Sequence, residues 1–99
     1  MRLTNAQIET IRRDVRELAG KAAQIWLFGS RLDDDQRGGD IDLMLELTEP
    51  VAHPAQLAAR LSARLYLHLD GHSVDVVVSA PNLQRLPIHD VAFSTGQRL

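Results

Sequence analysis

The sequence predicts a mixed fold of the α/β (α+β) class: a small mixed sheet from segments 23–28, 40–47 and 73–79, with amphipathic helices packed on one face. Three observations carry this expectation. Residues 40–47 alternate between apolar and polar with a period of two. Ile8, Ile11, Val15 and Leu18, and later Leu57, Leu61 and Leu65, recur at helical spacing. Val74, Val76, Val77 and Val78 form a β-branched run that favours a strand.

The first helix opens at Thr4-Asn5-Ala6-Gln7, a capping box with Thr4 at the N-cap and Gln7 three residues on. Glu9, Arg12, Arg13, Arg16 and Glu17 fall mostly opposite the apolar stripe. Interspersed signs of charge make this a solvated face rather than a nucleic-acid surface. Gly20 is a suitable stop. In the strand at 23–28, Trp26 and Phe28 share one face while Ile25 and Leu27 share the other, so both faces are expected to be covered. Trp26 reads as a core residue.

Gly29 permits a tight turn after this strand, and the connection 31–39 holds Asp33, Asp34 and Asp35. Adjacent aspartates do not share a face, so these three read as a solvated loop. Gly38 and Gly39 then give the backbone freedom to enter the second strand. There Ile41, Leu43, Leu45 and Leu47 face one side, and Asp40, Asp42, Met44 and Glu46 the other. Asp40 and Asp42 therefore lie on one face, about 6–7 Å apart along the strand at roughly 3.3 Å per residue. Carboxylates so placed suit hard cations such as Mg²⁺, which commonly shares its oxygen ligands with phosphates. A Gly-Ser turn beside them offers backbone N–H groups and a hydroxyl to a phosphate.

Pro50 and Pro54 punctuate the next turn, with Pro54 at the start of a second helix running to about Leu69 and ended by Asp70-Gly71. Tyr66 and His68 sit off its apolar ridge. Asp75 interrupts the third strand, where burial of an unpaired carboxylate would be costly. It is either an edge-strand acid facing water or the third member of a carboxylate triad. Leu83, Leu86, Ile88, Val91, Ala92 and Phe93 suggest one broken or two short helices, with Pro87 as the break and Gly96 as the end.

Composition narrows the function classes. The chain has 99 residues, 44% hydrophobic and 24% charged, and a formal net charge of −2. That size fits one domain, residues 1–99. No global basic field attracts nucleic acid, which argues against a dedicated DNA-binding module. The absence of cysteine excludes disulfides, thiolate zinc sites and a cysteine nucleophile. No apolar run approaches the ~20 residues of a membrane span, so the cytoplasm is the expected location. P-loop and dinucleotide-binding glycine motifs are absent, as is the G-x-S-x-G elbow that would make Ser30 a hydrolase nucleophile. His53, His68, His72 and His89 show no metal-ligand spacing, and a triad of Ser30, His72 and Asp75 has little to support it.

Gly29-Ser30, nine residues, then Asp40-Ile41-Asp42 resembles the signature of the DNA polymerase β-like nucleotidyltransferase superfamily. The short chain is most similar to its minimal nucleotidyltransferases (MNT), the small antitoxin partners of HEPN-domain toxins. The similarity of pattern runs from about Ile25 to Val78. The resemblance implies a polymerase β-like fold and a Mg²⁺-dependent transfer of a nucleotide, AMP from ATP, to a hydroxyl. Asp40, Asp42 and Asp75 would be the catalytic and metal-binding carboxylates for two Mg²⁺ (or Mn²⁺) ions. Gly29, Ser30 and Arg31 would bind the nucleotide, although Arg31 could equally pair with Asp33 or Asp34. A core this short is expected to borrow its acceptor from another chain, such as a tyrosine of a HEPN toxin. The alternative is a binding module that neutralises such a toxin by masking it, without catalysis.

Overall fold

The computed structural model describes residues 3–29 and 41–99. In order, these form α1 (Asn5–Ala19), β1 (Gln24–Phe28), β2 (Ile41–Glu46), α2 (Pro54–His68), β3 (Val74–Ser79), α3 (Pro87–Thr95) and β4 (Gln97–Arg98). The strands make one mixed sheet in the order β3-β2-β1-β4. β1 runs antiparallel to β2 and to β4, while β2 and β3 are parallel. The architecture is α+β, as the sequence predicts.

Local chemistry explains the ends of the elements. The Thr4 hydroxyl accepts from the Gln7 N–H at 3.1 Å, and Gln7 Oε1 accepts from the Thr4 N–H at 2.8 Å. Both donors would otherwise be orphans of the first helical turn. Pro54 occupies the first turn of α2, where its missing N–H costs nothing.

The two sheet faces have different fates. Ile25, Leu27, Ile41, Leu43, Leu45, Val74 and Val78 pack against α1 and α2 in the main core, with Ile11, Val15, Leu61 and Leu65 opposite them. The other face carries a smaller cluster in which Phe28 and Met44 meet Ala92, flanked by Trp26, Val77 and Phe93. The ring of Trp26 meets that of Phe93 edge-on at 5.2 Å, so it is indeed a packing residue.

Three features depart from the sequence expectation. Pro87 does not break a helix: it begins α3, a single helix, and Leu83 lies before it. The helices are not confined to one face, because α3 crosses the second face and covers part of it. A fourth strand follows Gly96, where Leu99 donates to the Ile25 carbonyl at 2.9 Å.

α3 is seated by a histidine. His89 is buried; its Nδ1 accepts from the Leu86 N–H at 2.9 Å, so Nε2 carries the proton and donates to the Val78 carbonyl at 2.9 Å. The imidazole thus caps the helix and ties it to β3. Gly96 closes the other end of α3: a Cβ there would meet the carbonyl oxygens of Ala92 and Leu27, the latter at 3.0 Å. Asp14 is also fully buried, at the α1–α2 contact, where Oδ2 lies 2.7 Å from Nδ1 of His68. No helix among the described residues is long and apolar enough to cross a membrane.

Candidate functional site

Asp42 and Asp75 are register partners across the parallel β2–β3 ladder. Partners in such a ladder project from the same face, and neighbouring strands lie about 4.8 Å apart. Both acids therefore stand on the face that carries Met44 and Val77, not on the face packed by α1 and α2. Asp42 is half-buried and Asp75 is exposed. The strand order makes β3 an edge of the described sheet, which leaves Asp75 at its rim.

On the other side of Asp42 lies the end of β1. Phe28 is its antiparallel partner, and Gly29 follows at φ 79°, a left-handed conformation that disfavours any side chain. A Cβ on Gly29 would collide with Asp42 Oδ2 and stand 3.1 Å from its Cγ. The carboxyl of Asp42 thus occupies the space left by the missing side chain. Asp75 and Asp42 thus stand side by side on the sheet, and Gly29, one residue past the end of β1, abuts Asp42 on its other side, so the three form one row.

Asp40, Ser30 and Arg31, as well as Asp33, Asp34 and Asp35, lie outside the described residues. Among the described residues no group of three or more His, Cys, Asp or Glu side chains could hold a metal. Glu46, on the same face as Asp42, is not available to the row, because its Oε1 accepts from Trp26 Nε1 at 3.0 Å. The donor set is nevertheless one of hard carboxylate oxygens, and the Gly29 cradle keeps one of them close to bare backbone. These properties fit a divalent cation that shares its coordination sphere with phosphate.

Sequence reasoning left two titratable groups without their structural roles. Asp14 falls between Ile11 and Val15 on the apolar stripe of α1, a position whose periodicity already marks it as inward-facing. Arg13 and Arg64 approach its Oδ1 at 3.5 and 3.8 Å, so the charge is surrounded by cations rather than placed in the row. His89 gave no such signal, because its partners are backbone atoms.

A sequence-family model for the nucleotidyltransferase domain matches residues 8–95, which span all of β1, β2 and β3. The chain belongs to the nucleotidyltransferase domain family. Solved structures share the fold of this nucleotidyltransferase domain. One holds a tri-AMPylated Shewanella oneidensis HEPN toxin in complex with MNT antitoxin; 97% of this chain aligns with 71% of a chain there, at 20% identity and a TM-score of 0.71. A mutant MntA–HpeT toxin–antitoxin complex gives 21% identity, the same 97% against 72% of that chain, and a TM-score of 0.72. A toxin–antitoxin structure with AMP-PNP gives 22%, 97% against 72%, and 0.71. No curated protein matches the chain.

Proposed function

We propose that this nucleotidyltransferase domain moves AMP from ATP to a hydroxyl of a partner protein, a tyrosine of a HEPN toxin, and so acts as an antitoxin in the cytoplasm. The observation that carries this reading is the row of Gly29, Asp42 and Asp75, in a chain of the nucleotidyltransferase family. Support also comes from the neighbours in fold: one contains an AMPylated toxin and another an ATP analogue. The mutant complex carries two aspartate-to-glutamate changes two positions apart, the spacing of Asp40 and Asp42.

In this reading Asp40, Asp42 and Asp75 hold two Mg²⁺ or Mn²⁺ ions. When bound, such a pair stabilises the attacking and leaving oxygens of a phosphoryl displacement. The chain's own residues do the rest. The acceptor oxygen forms a bond to the α-phosphorus, the α–β phosphoanhydride bond breaks, and pyrophosphate departs. Asp75 takes the proton from the attacking hydroxyl. The Gly29 and Ser30 backbone, with the Ser30 hydroxyl, grips the leaving phosphates where negative charge grows. Arg31 adds a cation to the same phosphates.

The test is incubation of the protein with each α-labelled nucleoside triphosphate, Mg²⁺ and a HEPN-domain partner. Label from ATP on the partner supports the proposal. Neutralisation of the partner with no label transferred from any triphosphate would establish the masking module instead.

A further inference from the structure

The sheet order and the demands of in-line displacement together indicate the side from which the acceptor arrives. The argument rests on the transferase reading given above. In a displacement at phosphorus, the attacking and leaving oxygens stand on opposite sides of the reacting atom. The leaving phosphates belong at Gly29, on the β1 side of Asp42. The attacking hydroxyl therefore belongs on the opposite side, at Asp75 on β3. No strand lies beyond β3 among the described residues.

An open groove adjoins Asp75 on this side, between β3 and α2. Ser62, Ala63, Tyr66, Leu67, Ser73 and Asp75 line it. Two large apolar residues stand at its wall with much of their surface in water: Tyr66 at 49% and Leu67 at 76% exposure. Leu61 and Leu65, on the inward side of the same helix, are fully buried, so Tyr66 and Leu67 are not completing the core. Among the described residues that line the groove, Asp75 alone is charged. No lysine or arginine lines it among the described residues, which favours a protein acceptor over a nucleic acid, whose phosphates require cations.

The β3 edge does not invite strand addition. Ser73 and Ser79 accept backbone bonds from β2, so alternation turns the carbonyls of Val74, Val76 and Val78 outward. The Ser62 hydroxyl already occupies the Val74 carbonyl, and His89 Nε2 occupies that of Val78. Recognition on this side falls to side chains in the groove rather than to a backbone ladder.

We infer that the acceptor is a protein segment with apolar residues flanking its hydroxyl, and that it docks over the β3 rim on Tyr66 and Leu67. The geometry delivers the hydroxyl to Asp75 from the side opposite Gly29. Burial of one leucine-sized side chain on Leu67 corresponds to a preference of about tenfold or more.

Fluorescent peptides with a central tyrosine, flanked by valine and leucine, by lysine or by glutamate, provide the test. Each is titrated onto the full chain by anisotropy, with Mg²⁺ and AMP-PNP present, beside a uridine-rich RNA oligonucleotide. The apolar peptide should bind about tenfold tighter than either charged peptide. Leu67→Arg should erase that preference, and Leu86→Arg, which lies outside this groove, should retain it; circular dichroism checks that both are folded. Equal binding of the peptides, an unchanged preference in Leu67→Arg, or preferred binding of the RNA overturns the proposal. AMP-PNP affinity in the same samples reports on the transferase reading itself. Loss of nucleotide binding in the wild type sinks that reading, whereas nucleotide binding without an apolar preference sinks the docking groove alone.

Discussion

The carboxyl group of Asp42 fills the space in which a side chain on Gly29 would have to stand. Gly29 also has a φ of 79°, so two independent demands meet at one residue. The left-handed conformation alone costs an ordinary L-residue roughly 1–2 kcal/mol. Gly29→Ala adds the displacement of Asp42 to that strain. The variant should lose about 1–3 kcal/mol of stability in urea denaturation and, while still folded, lose ATP-dependent transfer. A stable and fully active Gly29→Ala would show that the close approach has no function.

Carboxylates gathered in one row repel one another until a cation joins them. A ligand that binds the folded state alone raises stability by RT ln(1 + [L]/Kd), about 2.7 kcal/mol at one hundred times Kd. Millimolar Mg²⁺ or Mn²⁺, with ATP, should therefore raise the melting temperature. Asp42→Asn should abolish most of the rise. A melting curve indifferent to both ions, with and without ATP, would count against the proposed metal site.

His89 supports β3 from outside the site. Its imidazole satisfies both the Leu86 N–H and the Val78 carbonyl. His89→Ala removes both bonds and leaves a buried acceptor, at a cost of about 1–3 kcal/mol. Chemical denaturation should show this loss. Nucleotide binding at temperatures where the variant is folded should survive, because neither bond touches Gly29, Asp42 or Asp75.

Much of this arrangement was legible in the sequence because alternation is a strong constraint. Ile41 and Leu43 must go to the core, which commits Asp42 to the opposite face, and the run around Asp75 allows the same argument. The relation between the two strands was less accessible, since a parallel register depends on how α2 crosses between them. Pro87 is ambiguous in the sequence because proline is equally compatible with ending one helix and beginning another. β4 has only two residues, too few for any periodicity. The roles of His89 and Asp14 depend on partners distant in sequence: Val78 for the first, His68 for the second.

The proposal that the carboxylate row performs nucleotide transfer is tested most directly by single-turnover transfer of labelled AMP from ATP to a HEPN-domain protein, the proposed acceptor. Wild type is compared with Asp75→Asn and with the double variant Asp40→Asn, Asp42→Asn, each first shown to be folded and bound to the partner. Loss of a positioned general base typically costs about 10²–10⁴-fold in rate. Asp75→Asn should fall within that range, and the double variant should transfer nothing measurable and fail to neutralise the toxin. Transfer at the wild-type rate by either variant, or full neutralisation by the double variant, would contradict the account.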